Sequence, residues 1–190
     1  MKHFYSLVFI AISTAIAVPA LAADQYTIDE RHTFPVFEVS HLGFSTQRGR
    51  FNKTSGKITL DRAAKKGNIE VNVDTRSIDM GFEEWNKHMR DAKFFNVEKH
   101  PTMRFVSTKL IFDGDKLVGA NGQFTLLGVT HPLDLKISGF SCALNPLSKK
   151  PTCGADISAT IKRSEYGMSA YVPAVGDDIK IYSAIEAIKN

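Results

Sequence analysis

Hydrophobic and polar residues alternate along much of this chain, most clearly from Phe124 and Leu126 onward. These two side chains fall on one side of an extended segment, and the apolar residues of 133–137 fall on one side of a second segment. A period of two is typical of a β-strand with one buried and one solvated face. Gly128 is expected to lie in a turn between the segments, and Pro132 fits the first residue of the second strand. The pattern predicts an antiparallel hairpin.

The same alternation recurs in short segments along the chain, separated by turn signals such as Asn121-Gly122. Evenly spaced short strands are typical of a β-sandwich or a β-barrel. Periodicity does not decide between them, because it gives the face of a side chain but not whether that face is packed or hollow. The positions that share a face within each segment are Phe37, Val39 and His41; Phe51; Ile58 and Leu60; Ile69, Val71 and Val73; Met103 and Phe105; Leu133, Leu135 and Ile137; Ile157, Ala159 and Ile161; and Ile179, Ile181 and Ile185.

One segment has a helical period instead. Phe82, Trp85 and Met89 recur at i, i+3 and i+7 and form an apolar stripe opposite charged side chains. Gly81 precedes them as a candidate N-cap residue. We therefore expect a short amphipathic helix around residues 82–93, over one end or side of the sheet.

The first 22 residues have the features of a secretory signal peptide. Lys2 provides a positive start, an apolar run of twelve residues spans 7–18, and Ala20-Leu21-Ala22 is a small-residue cleavage site. The run is shorter than the roughly 20 residues of a membrane-spanning helix, which favours a cleaved leader over an anchor. Cleavage leaves 168 of the 190 residues, enough for a single domain over 23–190, and predicts export of the mature protein.

Export changes the expected oxidation state of Cys142 and Cys153, the only cysteines of the chain. In an oxidising compartment two cysteines are candidates for a disulfide, here closing a loop that contains Asn145-Pro146 and Lys150-Pro151. Their spacing matches neither a C-x-x-C redox motif nor paired zinc ligands. The loop-entropy relation gives such a bond a contribution of roughly 3 kcal/mol.

Charge and motifs do not point to nucleic acid, metal or catalysis. The net charge of +4 falls to +3 without the leader, and the basic residues form no run that would indicate nucleic-acid binding. The chain contains no nucleophile elbow, zinc helix, Walker loop or dinucleotide fingerprint. Its mature histidines have no local ligand spacing, so we predict no metal site and no required cofactor.

His41 is the most informative histidine, because it shares a strand face with Phe37 and Val39. Two interpretations of an inward imidazole stay open. It is either hydrogen-bonded to backbone or a neighbouring hydroxyl, or it donates to the polar end of a mostly apolar ligand.

Several short sequence segments occur in a fixed order along the chain, and one of them is the hairpin sequence Thr125-Leu-Leu-Gly-Val-Thr-His-Pro-Leu133. The others are Tyr26-Thr-Ile-Asp29, His32, Phe37 with His41, Arg48-Gly-Arg-Phe51, Ser55-Gly-Lys-Ile58, Phe94-Phe-Asn-Val-Glu-Lys-His-Pro101, Phe105-x-Ser107-Thr108 and Arg163-Ser-Glu-Tyr-Gly167. Together these segments resemble the YceI-like family of periplasmic proteins, which hold a polyisoprenoid chain inside a lipocalin-like barrel. The chain departs from the family pattern at residues 85–90 and at Asn96, where the family usually has Asp.

The resemblance implies a closed antiparallel lipocalin-like β-barrel of about eight strands around a long apolar tunnel. It implies a periplasmic binding or carrier protein, without catalytic residues, for a polyprenyl compound or an isoprenoid quinone such as ubiquinone. Lipid loading implies transient membrane contact, and an outward Tyr182 would support a homodimer. The residues expected to contact the ligand are Phe37, Val39, Phe51, Val71, Val73, Phe105, Phe124, Leu126, Leu133, Leu135, Ile157 and Ile161, with Phe94 and Phe95 near the mouth and His41 at a polar end.

Two other hypotheses stay open at this point. The chain is an enzyme acting on a lipid or quinone if His41 pairs with a carboxylate such as Asp29 or Glu38. It is an interaction module without a ligand if the inward faces pack against one another. A carrier needs no catalytic motif, since an isoprenoid tail is bound by removing apolar area from water, at roughly 25 cal/mol per Å².

Overall fold

The computed structural model describes residues 23–190, and the predicted leader lies outside this range. Within the range are one α-helix, α1 (Glu83–Arg90), and two short 3-10 segments, Thr75–Ser77 and Arg163–Tyr166. No helix of the described part is long and apolar enough to cross a membrane. The strands are β1 (Asp24–Ile28), β2 (Val36–His41), β3 (Ser45–Phe51), β4 (Thr54–Asp61), β5 (Lys66–Asp74), β6 (Ile78–Asp79), β7 (Thr102–Asp113), β8 (Lys116–Leu126), β9 (Val129–Leu144), β10 (Pro151–Lys162) and β11 (Asp178–Lys189).

Eight of these strands close into an antiparallel barrel, which confirms the expected fold class. β1, β4, β5, β7, β8, β9, β10 and β11 pair in that order, and β1 pairs again with the C-terminal end of β11 to complete the ring. β2 pairs with the N-terminal half of β11, and β3 and β6 follow it in the sheet. The same edge of β11 therefore carries β1 at one end of the barrel and β2 at the other.

The predicted hairpin is formed by β8 and β9. Leu127 and Gly128 connect them with positive φ angles of 51° and 77°, as in a type I′ turn. The prediction for Pro132 was wrong, since it is the fourth residue of β9 and lies opposite Gln123. The strand accommodates it because β10 pairs with β9 only as far as Lys136, so this half of β9 has a neighbour on one side only.

Asn121-Gly122 was also wrongly predicted as a turn, because the pair lies inside β8 with Gly122 opposite Ser107. A Cβ atom at position 122 would overlap the ring of Phe105 and the backbone oxygen of Val106. The glycine therefore makes space for an inward aromatic side chain of the neighbouring strand.

The helix is present but shorter than the predicted span of 82–93. α1 begins after Phe82, which is the N-cap residue in place of Gly81, and it ends at Arg90. Asp91 adopts an extended conformation with ψ of 163°, which stops the helix. Trp85 and Met89 of the apolar stripe line the cavity, whereas Phe82 is exposed. The turns after α1 place Phe94 and Phe95 on the cavity wall as well.

The predicted disulfide is confirmed between Cys142 and Cys153, with an S–S distance of 2.02 Å. The two residues lie directly opposite each other in the β9–β10 ladder, with their Cα atoms 4.0 Å apart. This hairpin pairs with the C-terminal end of β11, whereas β2 pairs with its N-terminal half. The disulfide therefore lies at the end of the barrel away from the β2–β3 turn.

Candidate functional site

An internal cavity of about 430 Å³ lies between the inward faces of the strands and α1. Pockets for small ligands measure roughly 300–1,000 Å³, and an apolar cavity of about 150 Å³ suffices for benzene. The wall is almost wholly hydrocarbon, and Arg163 is its single lysine, arginine, aspartate or glutamate side chain within residues 23–190. The hollow interior contradicts the hypothesis of inward faces that pack against one another.

All fifteen residues expected to contact a ligand lie on the wall of this cavity. The alternation of the strands explains thirteen of them, since every second residue of a barrel strand points inward, and Phe94 and Phe95 lie in the turns after α1. Nineteen further residues of the described range lie on the wall. Five of them, Met103, Ala159, Ile179, Ile181 and Ile185, share the predicted alternating faces but were not among the expected ligand contacts, and the others lie in α1, in loops or at other strand positions. The nineteen residues are Pro35, Val36, Leu42, Gln47, Met80, Trp85, His88, Met89, Met103, Ala159, Arg163, Met168, Tyr171, Ala174, Val175, Ile179, Ile181, Ser183 and Ile185.

A buried aromatic cluster forms one part of the wall. The ring centroids of Phe37 and Phe51 are 6.0 Å apart, and Phe95 meets Phe51 edge-on at 5.2 Å. Phe95 also lies 6.3 Å from Phe37. Aromatic pairs at these separations contribute beyond the area they bury, so the cluster fixes the position of the segment that follows α1.

The mouth of the cavity is formed by α1, the β2–β3 turn and the loop of residues 167–177. The imidazole of His41 lies 6.2 Å from the Trp85 ring, and Phe94 lies 4.8 Å from His88 and 6.2 Å from Tyr171. The side chains of His41, His88 and Tyr171 make no hydrogen bond with another residue of the described range. Three unpartnered polar groups therefore gather at the mouth.

Arg163 holds the 167–177 loop against the barrel. Its buried guanidinium donates four hydrogen bonds of 2.7–2.9 Å to loop carbonyls. The accepting oxygens belong to Met168, Ala170, Val175 and Gly176. Burial lowers the pKa of this group, and the nearby carboxylate of Asp177 opposes the shift. The sequence resemblance included Arg163, but nothing in the sequence indicated its carbonyl partners.

The carboxylates of the enzyme hypothesis are engaged away from His41. Glu38 alternates to the opposite face of β2 and accepts a hydrogen bond of 2.8 Å from Arg48. Asp29 interacts with Nδ1 of His32 at 2.8 Å and with Arg31 at 3.3 Å. Neither carboxylate pairs with His41, so this catalytic pairing is not formed.

Asp29, His32 and Glu186 are the one group within residues 23–190 whose ligand atoms lie close enough together to hold a metal ion. Burial raises the pKa of Asp29, but hydrogen bonds from His32 and Arg31 outweigh it and lower the pKa to about 2. The contacts of Asp29 with Arg31 and His32, and of His32 with Glu186, explain why these side chains lie together without a metal ion. None of them lies on the cavity wall.

An eight-stranded antiparallel barrel around an apolar cavity defines the class of lipocalin-like binding barrels. The family model of the YceI-like domain matches residues 26–187 of the sequence, and the chain belongs to this family. A UPF0312 protein of Pseudomonas aeruginosa is 32% identical over 190 residues, covering 97% of this chain and 98% of that protein. A UPF0312 protein of Shewanella denitrificans is 32% identical over 174 residues, covering 90% and 91%.

Solved structures show the same architecture. BcnA of Burkholderia cenocepacia superposes with a TM-score of 0.71 at 20% identity, covering 84% of this chain and 98% of that one. The Campylobacter jejuni YCEI protein has a TM-score of 0.68 at 26% identity, covering 80% and 90%. A polyisoprenoid binding domain of Saccharophagus degradans has a TM-score of 0.63 at 17% identity, covering 87% and 98%.

Proposed function

We propose that this protein binds a long isoprenoid lipid, with the tail in the cavity and the head group at the mouth. The observation that carries the proposal is the cavity of about 430 Å³ with a single charged side chain on its wall. A tail without polar atoms is bound by removing its area from water, for which a hydrocarbon wall suffices. The Saccharophagus degradans domain of the same fold is described as polyisoprenoid binding, which supports this ligand class.

The polar groups of the site favour an uncharged head group. A phosphate carries close to two negative charges and is usually bound by arginine or lysine side chains. Here the guanidinium of Arg163 already donates to four loop carbonyls. The imidazoles of His41 and His88 at the mouth suit a carbonyl or hydroxyl. Of the expected ligands, we therefore propose an isoprenoid quinone such as ubiquinone ahead of a polyprenyl phosphate.

The fifteen wall residues of the sequence prediction are the proposed ligand contacts, with the His41 imidazole donating to a head-group oxygen. We further propose a carrier in the periplasm, without an enzymatic activity and without a required cofactor, which exchanges its lipid with a membrane. The predicted homodimer through Tyr182 stays a prediction that light scattering tests.

Native mass spectrometry of the purified protein, followed by organic extraction, tests the proposal. We expect one lipid per chain, intact after incubation, and displacement of that lipid by ubiquinone at a lower concentration than by undecaprenyl phosphate. Protein that carries and accepts no isoprenoid would overturn the binding function. Chemical conversion of the lipid that His41→Ala abolishes would establish the enzyme hypothesis instead.

A further inference from the structure

The cavity mouth carries exposed apolar side chains on all three of its elements. We define this apolar rim as Leu42 and Phe44 of the β2–β3 turn, Phe82 and Trp85 at the start of α1, and Tyr171 and Val172 of the 167–177 loop. It contains six of the eleven large apolar side chains that are most exposed within residues 23–190. Phe44 is 89% exposed and lies outside the cavity wall.

The parts of the apolar rim are held together at the barrel end. The backbone N–H of Leu42 donates to the carbonyl of Ala174 at 2.8 Å, and His41 forms an isolated bridge with Val175. Leu42, Trp85 and Tyr171 are at once exposed and on the cavity wall. The apolar rim is therefore continuous with the interior that would hold the lipid tail.

Charge is missing from two of the three rim segments. Residues 39–47 and 166–176 contain no aspartate, glutamate, lysine or arginine. Burying a charged side chain in the hydrocarbon interior of a bilayer is costly. Tryptophan and tyrosine, by contrast, are enriched at the bilayer surface because each combines an apolar ring with a polar group. This composition fits a bilayer surface.

The size of the apolar rim argues against a stable protein partner. With roughly 200 Å² for a fully exposed aromatic side chain, the six residues present about 600 Å². A specific protein interface needs about 800 Å² from each partner. An apolar patch of this size on a monomer is often functional, and its area suits a reversible contact.

We propose that the apolar rim inserts into the surface of a lipid bilayer while the ligand passes between the bilayer and the cavity. The inference rests on the proposed function, since a tail that left the membrane elsewhere would expose its full apolar area to water. Contact at the rim gives the tail a continuous apolar path through the mouth.

Trp85, the single tryptophan of the chain, reports the contact directly. We expect vesicles of phosphatidylcholine with brominated acyl chains to quench its fluorescence. Phe44→Ser should weaken vesicle binding at least about tenfold, because burial of a phenylalanine side chain contributes roughly 1.5–3 kcal/mol. The matched control is Leu147→Ser, which changes a side chain of 91% exposure in the disulfide hairpin at the other end of the barrel and should alter binding less than twofold.

Absence of quenching, equal loss in both variants, or a stable dimer that Phe44→Ser dissociates would overturn the proposal. Ligand content separates it from the proposed function. Phe44→Ser loaded with ubiquinone from detergent micelles should retain the wild-type amount of ligand and take it up more slowly from vesicles. Wild-type protein that binds vesicles but no isoprenoid would refute the proposed function and leave the membrane contact standing.

Discussion

Arg163 lies at the junction between β10 and the loop that forms one side of the cavity mouth. Its four hydrogen bonds all end on backbone carbonyls, so its contribution is to give the loop one conformation. A planar guanidinium has five N–H donors spread over three nitrogens and can serve four separate acceptors, whereas a lysine ammonium has three donors on one nitrogen. The shape of the mouth therefore depends on a side chain that makes no ion pair within 4 Å in the described range.

We expect Arg163→Met to lower the free energy of unfolding by about 3 kcal/mol, because buried loop carbonyls lose their donors. Arg163→Lys should recover less than half of this loss, since one ammonium cannot reach all four carbonyls. Urea denaturation measures both changes. The neighbouring exposed pair of Lys162 and Asp178 provides the control, and Lys162→Met should cost less than about 1 kcal/mol. Equal losses in Arg163→Met and Lys162→Met would contradict this role.

Asp29 should make stability depend on pH at the acidic end. Its pKa of about 2 in the folded protein is below the ordinary value of 3.8, so the folded state favours the ionised form. The stabilisation is present above about pH 4 and is lost as the pH falls toward 2. Because His32 and Arg31 are largely exposed, we expect only about 1 kcal/mol.

Comparison of the wild type with Asp29→Asn measures this contribution. The difference between their urea midpoints should be present at pH 6 and disappear near pH 2. A difference that stays constant over this range would show that Asp29 stabilises the fold through its shape and not through its charge.

At the scale of elements, local patterns predicted faces better than boundaries. Alternation placed Phe124 and Leu126 correctly because side-chain direction follows directly from a period of two. Pro132 and Asn121-Gly122 were misread because their roles depend on neighbours distant in sequence: β10 ends its pairing before Pro132, and Phe105 fills the space at Gly122. The hydrogen-bond partners of Arg163 could not be predicted for a similar reason, because they lie in a loop without a periodic pattern.

The β9–β10 hairpin has a covalent link that is separate from the site. Reduction, or the Cys142→Ser/Cys153→Ser double variant, should lower the free energy of unfolding by about 3 kcal/mol, since an open chain gains the entropy of a loop of eleven residues. Lipid content should not change, because neither cysteine lies on the cavity wall. Urea denaturation with and without reductant, together with lipid extraction, checks both statements. Loss of lipid on reduction would show that the far end controls the cavity.

At the scale of the whole molecule, a closed ring of eight strands leaves space that the inward side chains do not fill. This hollow could not be predicted from periodicity, which describes packed and empty interiors alike, and its expectation came from the family resemblance alone. Strand parity did predict the strand residues of the wall that were expected to contact a ligand, but not the wall residues of α1 and of the 167–177 loop. The structure also shows at which end of the barrel the cavity opens. This could not be read from the sequence, because the β2–β3 turn, α1 and the 167–177 loop come together only in the assembled barrel.

A larger side chain on the wall should therefore compete with the ligand. Ala159 of β10 lies on the cavity wall, and Ala159→Phe places a ring in the space that we assign to the tail. We expect at least a fivefold loss of bound isoprenoid, with the free energy of unfolding of the empty protein changed by less than about 1 kcal/mol, because an empty cavity receives the ring without overpacking. Thr160→Phe adds a ring to the exposed face of the same strand and should leave lipid content unchanged. If Ala159→Phe folds and still carries one lipid per chain, the ligand lies elsewhere and the cavity is not its site.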